Sequence, residues 1–184
     1  KDGGASNVQA CALGYFSAAA GSTVCTQASA GYIATDGANT LTGVNTAAVA
    51  EEICGDGTFS GAGATVCTTA QQGYYIVDAS NNALTSPWTG AVSEVQAVEG
   101  YFTVDSSGAA VASGAVAVQQ AQSGYYTVSS VDGTTATAAG AVDEAQAQAG
   151  YYTVDSNGAA KDGGASNVQA CALGYFSAAA GSTV

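Results

Sequence analysis

The sequence predicts an all-β fold: a tandem-repeat solenoid of stacked short β-hairpins, about seven to each 160-residue super-repeat. Three observations predict it. The segments 1–24 and 161–184 are the same sequence, KDGGASNVQACALGYFSAAAGSTV, so the chain re-enters its own beginning at Lys161. Inside that period a glycine followed by an aromatic-bearing segment recurs, at uneven intervals, at Gly14, Gly31, Gly57, Gly73, Gly100, Gly124 and Gly150, and the first returns at Gly174. The residue three before each of these glycines is Cys11, Ala28, Cys54, Ala70, Ala97, Ala121 or Ala147 and nothing larger, which marks a sterically tight slot. The period divides into a cysteine-containing part, 1–72, and a cysteine-free part, 73–160; the segment 161–184 begins the next super-repeat.

Each unit reads as strand, turn, strand. Tyr151-Tyr152-Thr153-Val154 is aromatic and β-branched, and Asp155-Ser156-Asn157-Gly158 carries turn chemistry, with Asn-Gly supplying a positive φ before small residues follow. A third strand is expected over 141–149, where Ala145, Ala147 and Ala149 alternate with Glu144, Gln146 and Gln148. A helix is the competing reading of that segment, but Gly140 and Gly150 leave room for under about three turns. Adjacent aromatics on a strand point to opposite faces, so one goes inward and its neighbour meets a second layer, a groove or solvent. Tyr15, Tyr32, Tyr74, Tyr101, Tyr125 and Tyr151 are the expected stacking positions. One hairpin of this size cannot bury enough surface alone, whereas layered hairpins cover one another. With about two strands per unit at roughly 4.8 Å, a unit advances ~10 Å and a super-repeat ~70 Å.

Two stretches depart from the pattern. The segment 36–53 inserts extra chain, and 49–53 admit a helical turn. The segment 85–90 holds the only proline and the only tryptophan; Pro87 suits an edge or turn. Trp88 reads as a local core plug in preference to a surface contact for a sugar or partner.

Composition bounds the function. The chain is 47% apolar, enough to fold, yet has no run long enough to span a membrane. Ala is the largest part of its apolar share, with little Leu or Ile and no Met, so ten Tyr and four Phe are expected to supply much of a thin core. Two lysines face fourteen acids, a net charge of −12, which disfavours nucleic acid as a partner. With neither Arg nor His there is no phosphate fork, no imidazole base and no His metal ligand. The chain therefore reads as a non-enzyme without catalytic residues, cofactor or metal site.

Cys171 is the copy of Cys11, so the period holds four cysteines, Cys11, Cys25, Cys54 and Cys67, in two local pairs of nearly equal spacing. The matched spacing favours Cys11–Cys25 and Cys54–Cys67, although four cysteines permit three pairings and free thiols are the competing reading. Such disulfides imply an oxidising, extracellular setting. The segments from Cys11 to Thr26 and from Cys54 to Thr68 resemble the C-x-x-G-[TY]-[YF]-S…G-x-x-x-C repeats of ephrin-receptor-like cysteine-rich modules. The resemblance covers the cysteine-containing part well and the remainder only through the Gly-Tyr-aromatic core. That family's next cysteine, which follows after two intervening residues, is replaced here by Ala28 and Ala70, so its full disulfide ladder does not carry over. The resemblance implies an extracellular, rod-like, non-enzymatic module.

Asp36, Asp105 and Asp155 begin turns in which clustered oxygens suggest calcium, but none has the spacing of a calcium loop, and an Asp bonded to its own turn is the stronger reading. Glu51-Glu52 and Asp143-Glu144 point oppositely on a strand and read as solubilising charge. No Asn-x-Ser/Thr site is present, while O-linked glycans on exposed Ser and Thr are expected. The leading expectation is a structural segment of an extracellular filament, a surface fibre or flagellar or ciliary hair, whose partner is a further copy of itself. A secreted adhesin or glycan-binding rod is the alternative, and an ice-binding β-solenoid is a weaker third because uneven units spoil a flat Thr lattice.

Overall fold

The computed structural model describes residues 7–36 and 47–181. Every regular element among them is a strand, and the strands form seven antiparallel hairpins. β1 (Tyr15–Phe16) pairs with β2 (Thr26–Gln27), β3 (Tyr32–Thr35) with β4 (Ala50–Ile53), and β5 (Thr58–Phe59) with β6 (Thr68–Thr69). β7 (Tyr74–Val77) pairs with β8 (Ser93–Gln96), β9 (Tyr101–Val104) with β10 (Ala117–Gln120), β11 (Tyr125–Val128) with β12 (Asp143–Gln146), and β13 (Tyr151–Val154) with β14 (Asn167–Ala170). The first strand of each hairpin is the aromatic segment after a motif glycine. The all-β array of repeated hairpins is thus as expected.

Within a unit the pairing differs from the sequence expectation. The tight return after the Asp-led turn makes only one bridge to the aromatic strand, as in Val104 with Ala110 and Val154 with Ala160. The chain then crosses over, and the segment expected as a third strand becomes the true antiparallel partner, in register Tyr125 with Gln146 and Val128 with Asp143. The segment 141–149 is therefore not helical; it contains β12. The helical turn expected at 49–53 is also a strand, β4, because Ala50–Ile53 takes up the partner position on β3 that β12 takes on β11. The rest of that insertion, 37–46, lies outside the described residues.

The aromatic strand has a second edge, and the next unit uses it. Parallel bridges join Phe16 to Ala48, Ile33 to Ala64, Phe59 to Ala91, Tyr75 to Ala115, Phe102 to Ala141 and Tyr126 to Ala165. Each links one unit to the chain just ahead of the following unit's second strand, so the hairpins stack in sequence order. An edge strand with free N–H and C=O groups invites such pairing.

The core is thin, as expected, but less aromatic than the Tyr count implies. Phe102 and Tyr126 are buried, while the largest fully buried side chains are Ile33, Ile76, Val77, Val116, Val128 and Val142. The reason is the strand period: the second residue of each aromatic pair turns inward and the first turns outward. Tyr101 and Tyr125 are half-buried, and Tyr15 and Tyr151 are exposed. Small Ala side chains fill the space between layers, as in the cluster of Ala28, Ala34 and Ala48 that covers Phe16.

Candidate functional site

The repeated feature with the most constrained chemistry is the seam between units. The slot residue donates its N–H to the carbonyl of the preceding unit's motif glycine: Ala28 to Gly14 at 2.9 Å, Ala97 to Gly73 at 2.8 Å and Cys171 to Gly150 at 2.9 Å. Its own carbonyl accepts an N–H from a second glycine further along, Gly63 onto Ala28 and Gly140 onto Ala97, each at 2.8 Å. That second glycine presses its carbonyl against a motif glycine two units back. A Cβ on Gly14 would fall inside Gly63, and the same holds for Gly31 against Gly90 and so on to Gly124 against Gly181. Slot, motif glycine and second glycine are small because three backbones converge there.

The recurring Gln before the slot has a place in this seam. The side chains of Gln27, Gln96, Gln120 and Gln146 lie over Gly63, Gly140, Gly164 and Gly181, with Nε2 within 2.6–3.0 Å of where a Cβ would stand. The second glycines were not singled out by sequence reasoning. Their signal is a Gly-Ala doublet at 63, 90, 114, 140 and 164, half-hidden in a chain of 25 Gly and abundant Ala. One member of the series is not glycine: Ala47 holds the same left-handed backbone at φ 73° and donates its N–H to the Cys11 carbonyl.

Cys11–Cys25 and Cys54–Cys67 are disulfides, each with Cα atoms 5.7 Å apart, and Cys171 is a free thiol. Two disulfides fit an oxidising compartment. Each ties a slot cysteine to the start of the following hairpin's return strand, so the crosslinks brace the seam where the hairpin strands are shortest.

The turn carboxylates are occupied by their own backbones. Asp105 Oδ1 accepts the N–H groups of Ser107 and Ala109, Asp155 Oδ1 those of Asn157 and Ala159, and Asp78 Oδ1 those of Ser80 and Asn82, at 2.8–3.0 Å. The Ser107 hydroxyl and these N–H groups hold the Asp105 carboxyl below its usual range, and the Asn82 and Ser80 N–H groups do the same for Asp78. Asp36 is described, but the turn after it lies outside the described residues. Glu51 and Glu144 are more than solubilising charge: their carboxylates accept the N–H groups of Ser29 and Gln122 at 2.7 Å, as Glu94 does for Gln71. Glu99 reaches two units on. It accepts from the Ser166 hydroxyl and from the N–H and hydroxyl of Ser156, bonds that depress its pKa, with Lys161 adding to the effect.

Trp88 is half-buried and packs on the cluster of Ala70, Ile76, Ala91 and Val116, beside an exposed Pro87. Among the described residues no three His, Cys, Asp or Glu gather in a way that would hold a metal ion, and no helix is long and apolar enough to cross a membrane. No protein-family model matches the chain, and no curated protein matches it.

Several large apolar side chains are exposed in the first and last described segments. Tyr175 and Phe176 are 77% and 86% exposed, although they copy Tyr15 and Phe16, and they line an open cleft with Tyr152 and Cys171. At the other end Val8 is 94% exposed and Leu13 53%.

Proposed function

We propose that this chain is a structural segment of an extracellular filament, a surface fibre or a flagellar or ciliary hair, built by propagating its super-repeat through further copies of itself. One observation carries the reading: the segment 161–181 joins the last complete unit through the same seam bonds that link every earlier pair. Cys171 N–H meets the Gly150 carbonyl as Ala28 meets Gly14, and β14 lies on β13 as β12 lies on β11. A seam made mainly of backbone bonds and small residues has no preferred last unit. The disulfides and the net charge of −12 suit an exposed, soluble fibre. O-linked glycans on outward Ser and Thr would coat it.

Electron microscopy of the concentrated chain tests this. Unbranched fibres one stack wide, with an axial period of one super-repeat, are the expected result. Discrete particles at every concentration, or specific sugar binding on a glycan array that is lost in Trp88→Ala, would replace the filament with an isolated module or an adhesin.

A further inference from the structure

We infer that the cavity between the β3–β4 and β5–β6 hairpins binds an alkylammonium group, the end of a free alkylamine or of a lysine side chain, through the carboxylates of Glu52 and Asp56. This site stands apart from the filament proposed above. It begins with a departure from the repeat. The residue after the motif glycine is Tyr15, Tyr32, Tyr74, Tyr101, Tyr125 or Tyr151 in six units, and in the third unit it is Thr58. Thr58 keeps the tyrosine's backbone place, because its N–H donates to the Gly55 carbonyl as that of Tyr32 does to Ser29 and that of Tyr74 to Gln71. The shorter side chain leaves a cavity of about 430 Å³, whose polar side chains are Glu52, Asp56 and Thr58 and whose larger apolar ones are Ile33, Ile53 and Val66.

Glu52 is the second departure. It pairs across the hairpin with the fully buried Ile33, and the positions that correspond to it in the other hairpins are Thr26, Thr68, Val95, Gln119, Ala145 and Gln169, none of them charged. The residue is half-buried, and its Oε2 is shut off from solvent with no hydrogen-bond partner among the described residues. Its neighbour Glu51 has one in the Ser29 N–H. A carboxylate oxygen that is both out of water and unpaired is costly, and a cationic donor that meets it removes the cost. The terminal torsion of a glutamate is soft, so Glu52 can turn this oxygen toward a ligand in the cavity it lines without moving its backbone.

The lining selects the ligand. Its side-chain oxygens only accept: they belong to two carboxylates and to a Thr58 hydroxyl whose hydrogen is given to the Gly55 carbonyl at 2.8 Å. An ammonium group carries three donors and no acceptor, and its alkyl stem suits the walls made by Ile33, Ile53 and Val66. The one cation among the described residues, Lys161, lies in the field of Glu99 instead. A calcium ion takes about six to eight oxygens, and among the described residues no third carboxylate joins these two.

Calorimetric titration of the full chain with n-butylammonium chloride at fixed ionic strength tests this. One saturable site per chain is expected, with a Kd at or below about 10 mM, and none for n-butanol or calcium chloride. Glu52→Gln keeps the shape of the side chain and is expected to weaken binding at least about tenfold. Thr58→Tyr restores the side chain of the other units and is expected to abolish binding. Asp132→Asn removes a charge from an exposed turn elsewhere and is expected to leave binding unchanged. Failure of n-butylammonium to saturate, equal binding of n-butanol, calcium binding that Glu52→Gln removes, or equal loss in Glu52→Gln and Asp132→Asn overturns the site. If Thr58→Tyr does not fold by circular dichroism, Glu52→Gln decides. A peptide acetyl-Gly-Lys-Gly-amide that competes and binds more tightly than n-butylammonium assigns the site to a lysine side chain of a partner protein, and weaker binding assigns it to a free amine.

Discussion

At the scale of single residues, the seam separates two costs that a glycine substitution usually mixes. Gly100 (φ +79°) and Gly108 (φ +85°) share a left-handed backbone, but a Cβ on Gly100 would strike the Gly164 carbonyl, while Gly108 faces open space. Gly108→Ala should therefore cost about 1–2 kcal/mol, the ordinary penalty of positive φ. Gly100→Ala should cost clearly more, on the order of 3 kcal/mol or above, because two backbones must move apart. Urea unfolding of the two variants checks the order, and equal losses would show that the seam is loose. The buried threonines give a second measure. Thr127 is fully buried and its hydroxyl donates to the Thr137 carbonyl at 2.7 Å, as Thr153 does to Lys161, so Thr127→Val should cost about 1–2 kcal/mol despite nearly equal volume. The carboxylates set the pH response. Asp78, Glu99 and Asp105 all titrate below their usual values, so the stability they contribute is present above about pH 4 and is lost as acid carries the pH through their lower folded pKa values. Acid titration followed by tyrosine fluorescence should show destabilisation beginning below about pH 4, and less steeply in Asp105→Asn.

At the scale of the element, the hairpin is where sequence reading succeeded and then misjudged. The Tyr151–Val154 strand, the Asp155–Gly158 turn and both disulfides were legible, because aromatic and β-branched runs, Asx-Gly chemistry and matched cysteine spacing act locally. The pairing partner was not. The tight turn suggested an immediate return, yet Val154 bridges only Ala160 before the chain crosses to the other edge and pairs from Asn167. In six of the hairpins an Ala of the next unit bridges the edge beside the return, as Ala165 does at Tyr126, while β13 makes the same crossing without such a bridge among the described residues, and the turn residues alone do not reveal the partner. For the same reason the 49–53 stretch, helix-compatible by composition, is a strand on β3. The crosslinks brace the weakest of these elements. β5 and β6 are two residues each, so replacing Cys54 and Cys67 together by Ser should cost about 3 kcal/mol, with a slot cysteine that is fully buried adding to the loss. Thermal melts under non-reducing conditions measure it.

At the scale of the whole molecule, like charge opposes the propagation that the seams permit. Each period carries far more acid than base, with a net charge of −12 over the chain, and successive copies would bring these charges together. Self-assembly should therefore strengthen with salt as the screening length falls from about 30 Å at 0.01 M to about 8 Å at 0.15 M. Sedimentation at the two ionic strengths checks this; assembly that weakens with salt would mean that ion pairs, not backbone seams, hold the copies together. The candidate site was legible in the sequence only as its ingredients. The motif glycines, the small slot and the Gln before it were visible as recurrences, but their meeting point two units away was not, because it joins positions as far apart in the chain as Gly14 and Gly63.

That reach of two units governs how such a stack must start. A lone unit has no seam, and two adjacent units share bridges and slot bonds without the glycine contact, which first closes when a third unit arrives, as Gly63 does over Gly14. The smallest self-sufficient nucleus is thus three units long, which one chain of seven hairpins already exceeds, so the threshold applies to folding within the chain. Units without that contact, such as the one that begins at Gly150, should exchange their amide hydrogens faster than those in the middle.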